Sequence, residues 1–229
     1  MAGLAPTREL AGAAAAAAGA TRSGRLYDKD FWSWTQEQAA ALRRRDLDAV
    51  DWENVIEEIE TLGRSEQHAW TSHCKNVIVH LLKMEHSPRE GHLSHWRKEI
   101  VTWRNRMADQ LQDNPGMKGR LREMLALAWS RGRRDGIEKL VEHAGPRGWA
   151  AEKALRRSWD RELPEECPYA LEDIAGYDPD PRRYSRRDTE PQPDSGVWPA
   201  AVARRMNEEL GEDYPVRHRA PSRGAGPSR

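Results

Sequence analysis

Glu53-Asn54-Val55-Ile56-Glu57-Glu58-Ile59-Glu60-Thr61-Leu62-Gly63-Arg64-Ser65-Glu66 combines an apolar helical period with dense acidic charge. Trp52, Val55, Ile56, Ile59 and Leu62 recur at spacings that share one side of a helix of about 3.6 residues per turn, so the stretch reads as an amphipathic helix and not as a strand. Between Asp46 and Glu66 stand eight carboxylates and one base, Arg64. The acids gather near the helix start, where the positive end of the helix dipole favours them. Asp48 or Asp51 is the expected cap, and Gly63 is expected to end the helix or to permit close packing.

Upstream, Phe31, Trp32 and Trp34 follow the Ala-rich stretch 10–20, and Ser33 or Thr35 could cap a first helix reaching about Arg45. Downstream, Trp70, Cys74, Val77, Ile78, Leu81 and Leu82 form one face of a helix that stops before Pro88. Trp96, Ile100, Trp103, Met107 and Leu111 repeat the pattern after a Ser94 cap, and Leu121 to Trp129 begin another amphipathic helix. Gly132 and Gly136 within it predict a break or a tight helix contact, since each weakens a helix by about 1 kcal/mol relative to Ala. A shorter helix is expected over Trp149 to Arg161. No alternating strand pattern and no Gly-rich phosphate loop occurs. The fold class expected is all-α: a compact helical bundle of about five to six helices over 26–175, between disordered tails at 1–25 and 176–229, with a short helix over 197–210.

The 37 basic and 37 acidic residues cancel, which removes the bulk attraction that draws proteins to nucleic acid or anionic lipid. The chain has no run of about 20 apolar residues, so no membrane-spanning helix is expected. Two cysteines, Cys74 and Cys167, are too few for a disulfide-built secreted fold, and read as thiols of a cytoplasmic protein.

Tyr27-Asp28-Lys29-Asp30-Phe31, the Glu53 to Glu66 segment, His80-Leu81-Leu82-Lys83 and Pro164-Glu165-Glu166-Cys167-Pro168-Tyr169 together resemble the bacterial domain of unknown function 29 family. The resemblance covers roughly Leu26 to Ile174. It implies a mainly α-helical bacterial protein and implies no activity. The segment between Gly136 and Leu163 looks longer than the family's usual pattern, and both tails lie outside it.

Three kinds of chemistry compete in the side chains. Six of the eight histidines fall between positions 68 and 95, and His73 and His80 share a helix face. With Glu57 they are the metal candidates, yet neither His-Glu-x-x-His nor a CxxC pair is present, so no metal and no cofactor is expected. Glu57, Glu58 and His80 are the acid/base candidates. Glu58 borders the apolar stripe and needs a partner there, and Arg64, His80 or Arg97 would complete a polar network that sets helix register. Arg43-Arg44-Arg45, Arg131 to Arg134 and Arg182 to Arg187 are basic islands with acids beside them, a weak case for nucleic acid.

Ten tryptophans stand against one phenylalanine. Trp52, Trp70, Trp96 and Trp103 lie on apolar stripes and are expected in the core. Trp32, Trp34, Trp149 and Trp198 are less tied to such stripes, and Trp32 and Trp34 are the expected anchors for a partner. The reading favoured is a protein–protein interaction module that presents its first helix and its acidic helix to an unknown protein partner, with a homo-oligomer left open. The alternatives are a metal-dependent or acid/base enzyme built on the Glu/His cluster, and a nucleic-acid-binding accessory protein.

Overall fold

Asp30 starts the first helix, because its carboxylate accepts from the Ser33 backbone N–H at 3.0 Å and from the Ser33 hydroxyl at 2.6 Å. These bonds satisfy a donor that the first helical turn cannot pair internally. The cap therefore falls earlier than Ser33 or Thr35. In the computed structural model, which describes residues 26–88, 91–176, 197–211 and 213–214, every regular element is helical among the described residues. The tails expected at 1–25 and over most of 176–229 lie largely outside them.

After a helical turn at 26–29 come α1 (Phe31–Arg44), α2 (Trp52–His86), α3 (Leu93–Asp113), α4 (Leu121–Ala144), α5 (Trp149–Glu162), α6 (Leu171–Ala175) and α7 (Ala200–Leu210). Short 3₁₀ turns occupy Leu47–Ala49 and Pro115–Arg120. The all-α class is as expected, with rather more helices. One difference is physical: Gly63 neither ends α2 nor packs closely. A Cβ there would meet nothing within 4 Å, and the acidic and apolar segments run on as one helix of 35 residues.

The described residues fall into two compact units that divide after Ser65. In the N-terminal unit Trp34, Ala41 and Val50 are buried. Trp34 stacks on Phe31 at 5.6 Å between ring centroids and meets Tyr27 edge-on at 4.9 Å, a favoured aromatic geometry. Asp51, itself buried, accepts from Trp34 Nε1 at 3.2 Å and from Asn54 Nδ2 at 2.8 Å, while its own N–H donates to Gln38 Oε1 at 2.8 Å. Buried polar groups are thus satisfied within the unit.

The C-terminal unit holds the larger core, in which Trp70, Val77, Ile78 and Leu81 of α2 join Ile100, Met107 and Leu111 of α3 and Ala128, Trp129 and Ile137 of α4. Gly132 and Gly136 produce the tight contact and no break. A Cβ at Gly132 would stand 2.9 Å from Ile78 Cγ2, and one at Gly136 would stand 2.5 Å from Leu82 Cδ1.

The described residues 197–211 of the segment read as a tail also enter this core. Trp198, Val202, Ala203 and Met206 are buried, and α7 is tied down at both ends. Arg104 of α3 is fully buried and donates to the carbonyls of Asp173 (2.6 Å), Ile174 (3.1 Å) and Val197 (3.1 Å), with its guanidinium 4.1 Å from the Trp198 ring centroid. Arg205 of α7 donates to Met84 O at 3.0 Å and Ser87 O at 2.8 Å, filling acceptors left open where α2 ends.

Candidate functional site

The first half of α2 carries an apolar face that the N-terminal unit leaves open. Trp52, Ile56, Ile59 and Leu62 are 47%, 53%, 66% and 67% exposed. At about 100° per residue they span an arc of roughly 120°, with Glu53, Glu57 and Glu60 along one border. Leu47 is exposed beside it, since Trp52 Nε1 donates to Leu47 O at 3.1 Å. This corrects the expectation that Trp52 is core. Helical spacing identifies a face but not what covers it.

The two tryptophans expected to anchor a partner part company. Trp32 is 71% exposed, whereas Trp34 is 3% exposed and engaged with Asp51. They are two residues apart on a helix and so point to different sides. Trp34 belongs to the core of its unit and is withdrawn from the surface. Trp149 is exposed with the Lys153 ammonium 4.5 Å from its ring centroid, and Trp198 is buried.

The expected polar network of Glu58, Arg64, His80 and Arg97 is not assembled as such, because each finds another partner. Glu58 Oε1 accepts from the Tyr27 hydroxyl at 2.6 Å, which with partial desolvation raises the Tyr27 pKa to about 12. Arg64 pairs with Glu60 at 3.2 Å and donates to Thr61 Oγ1. Arg97 donates to the Tyr214 hydroxyl. Glu57 is exposed on α2.

His80 lies in a polar cluster of the C-terminal unit. Its Nδ1–H donates to Asn76 O at 3.1 Å, leaving Nε2 to accept from Lys83 Nζ at 2.9 Å, and Glu99 Oε2 stands 2.9 Å from the same nitrogen. Burial, then the Lys83 charge, pulls the His80 pKa down to about 4. Burial likewise pulls Lys83 down to about 8, although Glu99 works to raise it. Lys83 also stands 4.6 Å from the Trp96 ring centroid, and Trp103 packs edge-on to His80 at 4.7 Å. His73 is pulled below its ordinary value by burial and by Arg106. Among the described residues, no three His, Cys, Asp or Glu side chains converge to hold a metal.

The sequence reading missed Lys83 and Glu99. The signal for Lys83 lay only in its spacing, three residues after His80; the apolar period puts it on the side of α2 opposite the Trp70 to Leu82 stripe, and its burial there comes from packing with Trp96 of α3. Glu99 carried none, since its position depends on how α3 packs beside α2. Of the basic islands, Arg43 and Arg44 close α1 and Arg45 adopts a left-handed backbone, while Arg182 to Arg187 lie outside the described residues. Arg120 pairs with Glu123 at 3.0 Å and Arg133 with Asp160 at 3.2 Å.

The model of the family described as Domain of unknown function DUF29 matches residues 26–178. The chain belongs to this family. The DUF29 match covers both the exposed face of α2 and the His80 cluster, and stops before α7. No curated protein and no solved structure matches the chain. No described helix is long and apolar enough to cross a membrane.

Proposed function

We propose that this DUF29 protein works by protein–protein contact, and that the open face of α2 in its N-terminal unit receives an amphipathic helix of another protein carrying Lys or Arg beside its apolar stripe. The supporting observation is the row Trp52, Ile56, Ile59 and Leu62, exposed on consecutive turns and bordered by Glu53, Glu57 and Glu60. Contiguous exposed apolar surface of this kind marks interaction sites, and recognition by a helix reads such a row at successive turns. The acidic border selects the partner's sign. A second copy of the same face would set glutamates against glutamates, and like-charge apposition disfavours it. Cys74 and Cys167 are not joined by a disulfide, which supports a place in the bacterial cytoplasm.

A photo-crosslinking residue at Leu62, used in the host cell, is expected to capture a peptide with apolar positions at helical spacing and basic flanks. That peptide, made synthetically, is expected to bind the purified protein more weakly as salt rises and to lose at least about tenfold in affinity to Ile59→Asp, a change of about 1.4 kcal/mol. Capture of the same peptide by Ile59→Asp, or a peptide lacking that pattern, would show the surface to be misassigned.

A further inference from the structure

The Lys83 cluster lies in the other unit and goes beyond the interaction reading. Lys83 is 8% exposed, and its hydrogen bond goes not to a carboxylate but to an imidazole, His80 Nε2 at 2.9 Å. From there the groups run outward. His80 Nε2 is 2.9 Å from Glu99 Oε2, which is 3.4 Å from His95 Nε2, and side-chain exposure rises from 13% at His80 through 36% at Glu99 to 67% at His95. A buried amine is therefore joined to solvent by groups that each accept and release protons.

From this geometry we propose that Lys83 is an amine nucleophile for a small aldehyde or ketone, with His80, Glu99 and His95 carrying its proton to water. Two features suit the role. Desolvation favours the neutral amine, which is the reactive form, and Trp96 and Trp103 hold the amine and the imidazole in place. Three charged groups outside the hydrogen-bonded pair act on the amine: Glu99 and Glu142 favour its protonated form, while Lys139 opposes it. Burial keeps the His80 imidazole neutral, so Nε2 stays an acceptor toward Lys83 Nζ.

The step balances without an oxidant or reductant. The Lys83 ammonium loses one proton through His80, and the nitrogen lone pair forms a C–N bond to the carbonyl carbon. The C=O π pair moves to oxygen, which takes up a proton. That proton comes from the nitrogen and gives a carbinolamine; the nitrogen lone pair then expels hydroxide, which takes the one remaining N–H proton and leaves as water, giving the imine.

The test uses the full chain with formaldehyde and cyanoborohydride, which reduces any imine to a methylamine that peptide mass spectrometry locates. At pH 7 Lys83 is expected to be methylated at least about tenfold faster than the exposed Lys98 and Lys153, because an amine titrating near 8 holds a far larger neutral fraction than an ordinary lysine. The advantage should shrink above pH 9. In His80→Gln the pH at which Lys83 reaches half its maximal rate is expected to rise while Lys98 and Lys153 are unchanged. Methylation of Lys83 no faster than Lys98 and Lys153 in the unmodified protein would overturn the proposal without reliance on any variant. An identical Lys83 profile in folded His80→Gln would overturn the relay.

Discussion

The two halves of α2 have similar apolar periods and opposite surroundings. Trp52, Ile56, Ile59 and Leu62 face outward in the N-terminal unit, whereas Trp70, Cys74, Val77, Ile78 and Leu81 are fully buried in the C-terminal unit. Nothing in the residue types separates the two rows. Within its own unit, only the second stripe has other elements packed against it, which shows that an amphipathic period reports a demand for burial and not its fulfilment. In the first half, that unmet demand is what the interaction reading rests on.

The largest test of the comparison removes a cover. A chain ending at residue 178, where the family match stops, lacks Trp198, Val202, Ala203 and Met206 from the buried cluster. It is expected to lose cooperative unfolding of the C-terminal unit in a denaturant titration followed by tryptophan fluorescence. Retained cooperativity would mean that α7 is dispensable.

Next come matched truncations on one helix. Ile78→Ala is expected to destabilise the C-terminal unit by about 2–5 kcal/mol through lost transfer energy and a cavity. Ile59→Ala should change stability by no more than about 0.5 kcal/mol. Equal losses, measured by chemical denaturation, would mean that the first half of α2 is covered in solution.

Close packing can be graded in the same way. Gly132→Ala is expected to cost about 1–3 kcal/mol, because the new methyl meets Ile78 at its stiff branch point and lies 3.4 Å from Lys75 O. Gly136→Ala should cost less, since it meets only the end of the flexible Leu82 side chain. Thermal melts of the pair would reveal a reversed order.

The His80 cluster gives a pH signature confined to the C-terminal unit. A histidine with a depressed folded pKa binds fewer protons when folded than when unfolded. Its contribution is therefore present above about 6.5 and lost as pH falls toward about 4. The loss should be on the order of 3 kcal/mol, and His80→Gln should flatten that part of the stability profile.

The smallest expected effect belongs to the N-terminal unit. Tyr27, raised to about 12 by its bond to Glu58, favours folding below pH 10 and ceases to do so as pH rises through 12. Absorbance at 295 nm should show one tyrosine ionising late, and Glu58→Gln should return it toward the ordinary value.

Much of the fold was legible because helix formation is largely local. The periods at Trp52 to Leu62, Trp70 to Leu82 and Trp96 to Leu111 each mark a helix, and Gly132 and Gly136 mark a close contact. The site was less legible. His80 was singled out, but its partners are Lys83 and Glu99 and not Glu58, Arg64 or Arg97. Hydrogen bonds made one turn away, such as Lys83 to His80, can be read from spacing, whereas the Glu99 contact depends on a packing register that spacing does not encode.

By itself the sequence determined an all-α chain, its family and the positions of its apolar stripes, since these follow from residue types at a fixed helical period. Tertiary structure alone decided that Trp32 is exposed and Trp34 buried, and that α7 completes a core and Arg104 ties it down. It also decided that, each within its own unit, one half of α2 is covered while the other is open. Those outcomes rest on which elements meet across long separations in the chain, where the net balance of burial, hydrogen bonding and desolvation belongs to the assembled unit and to no single segment.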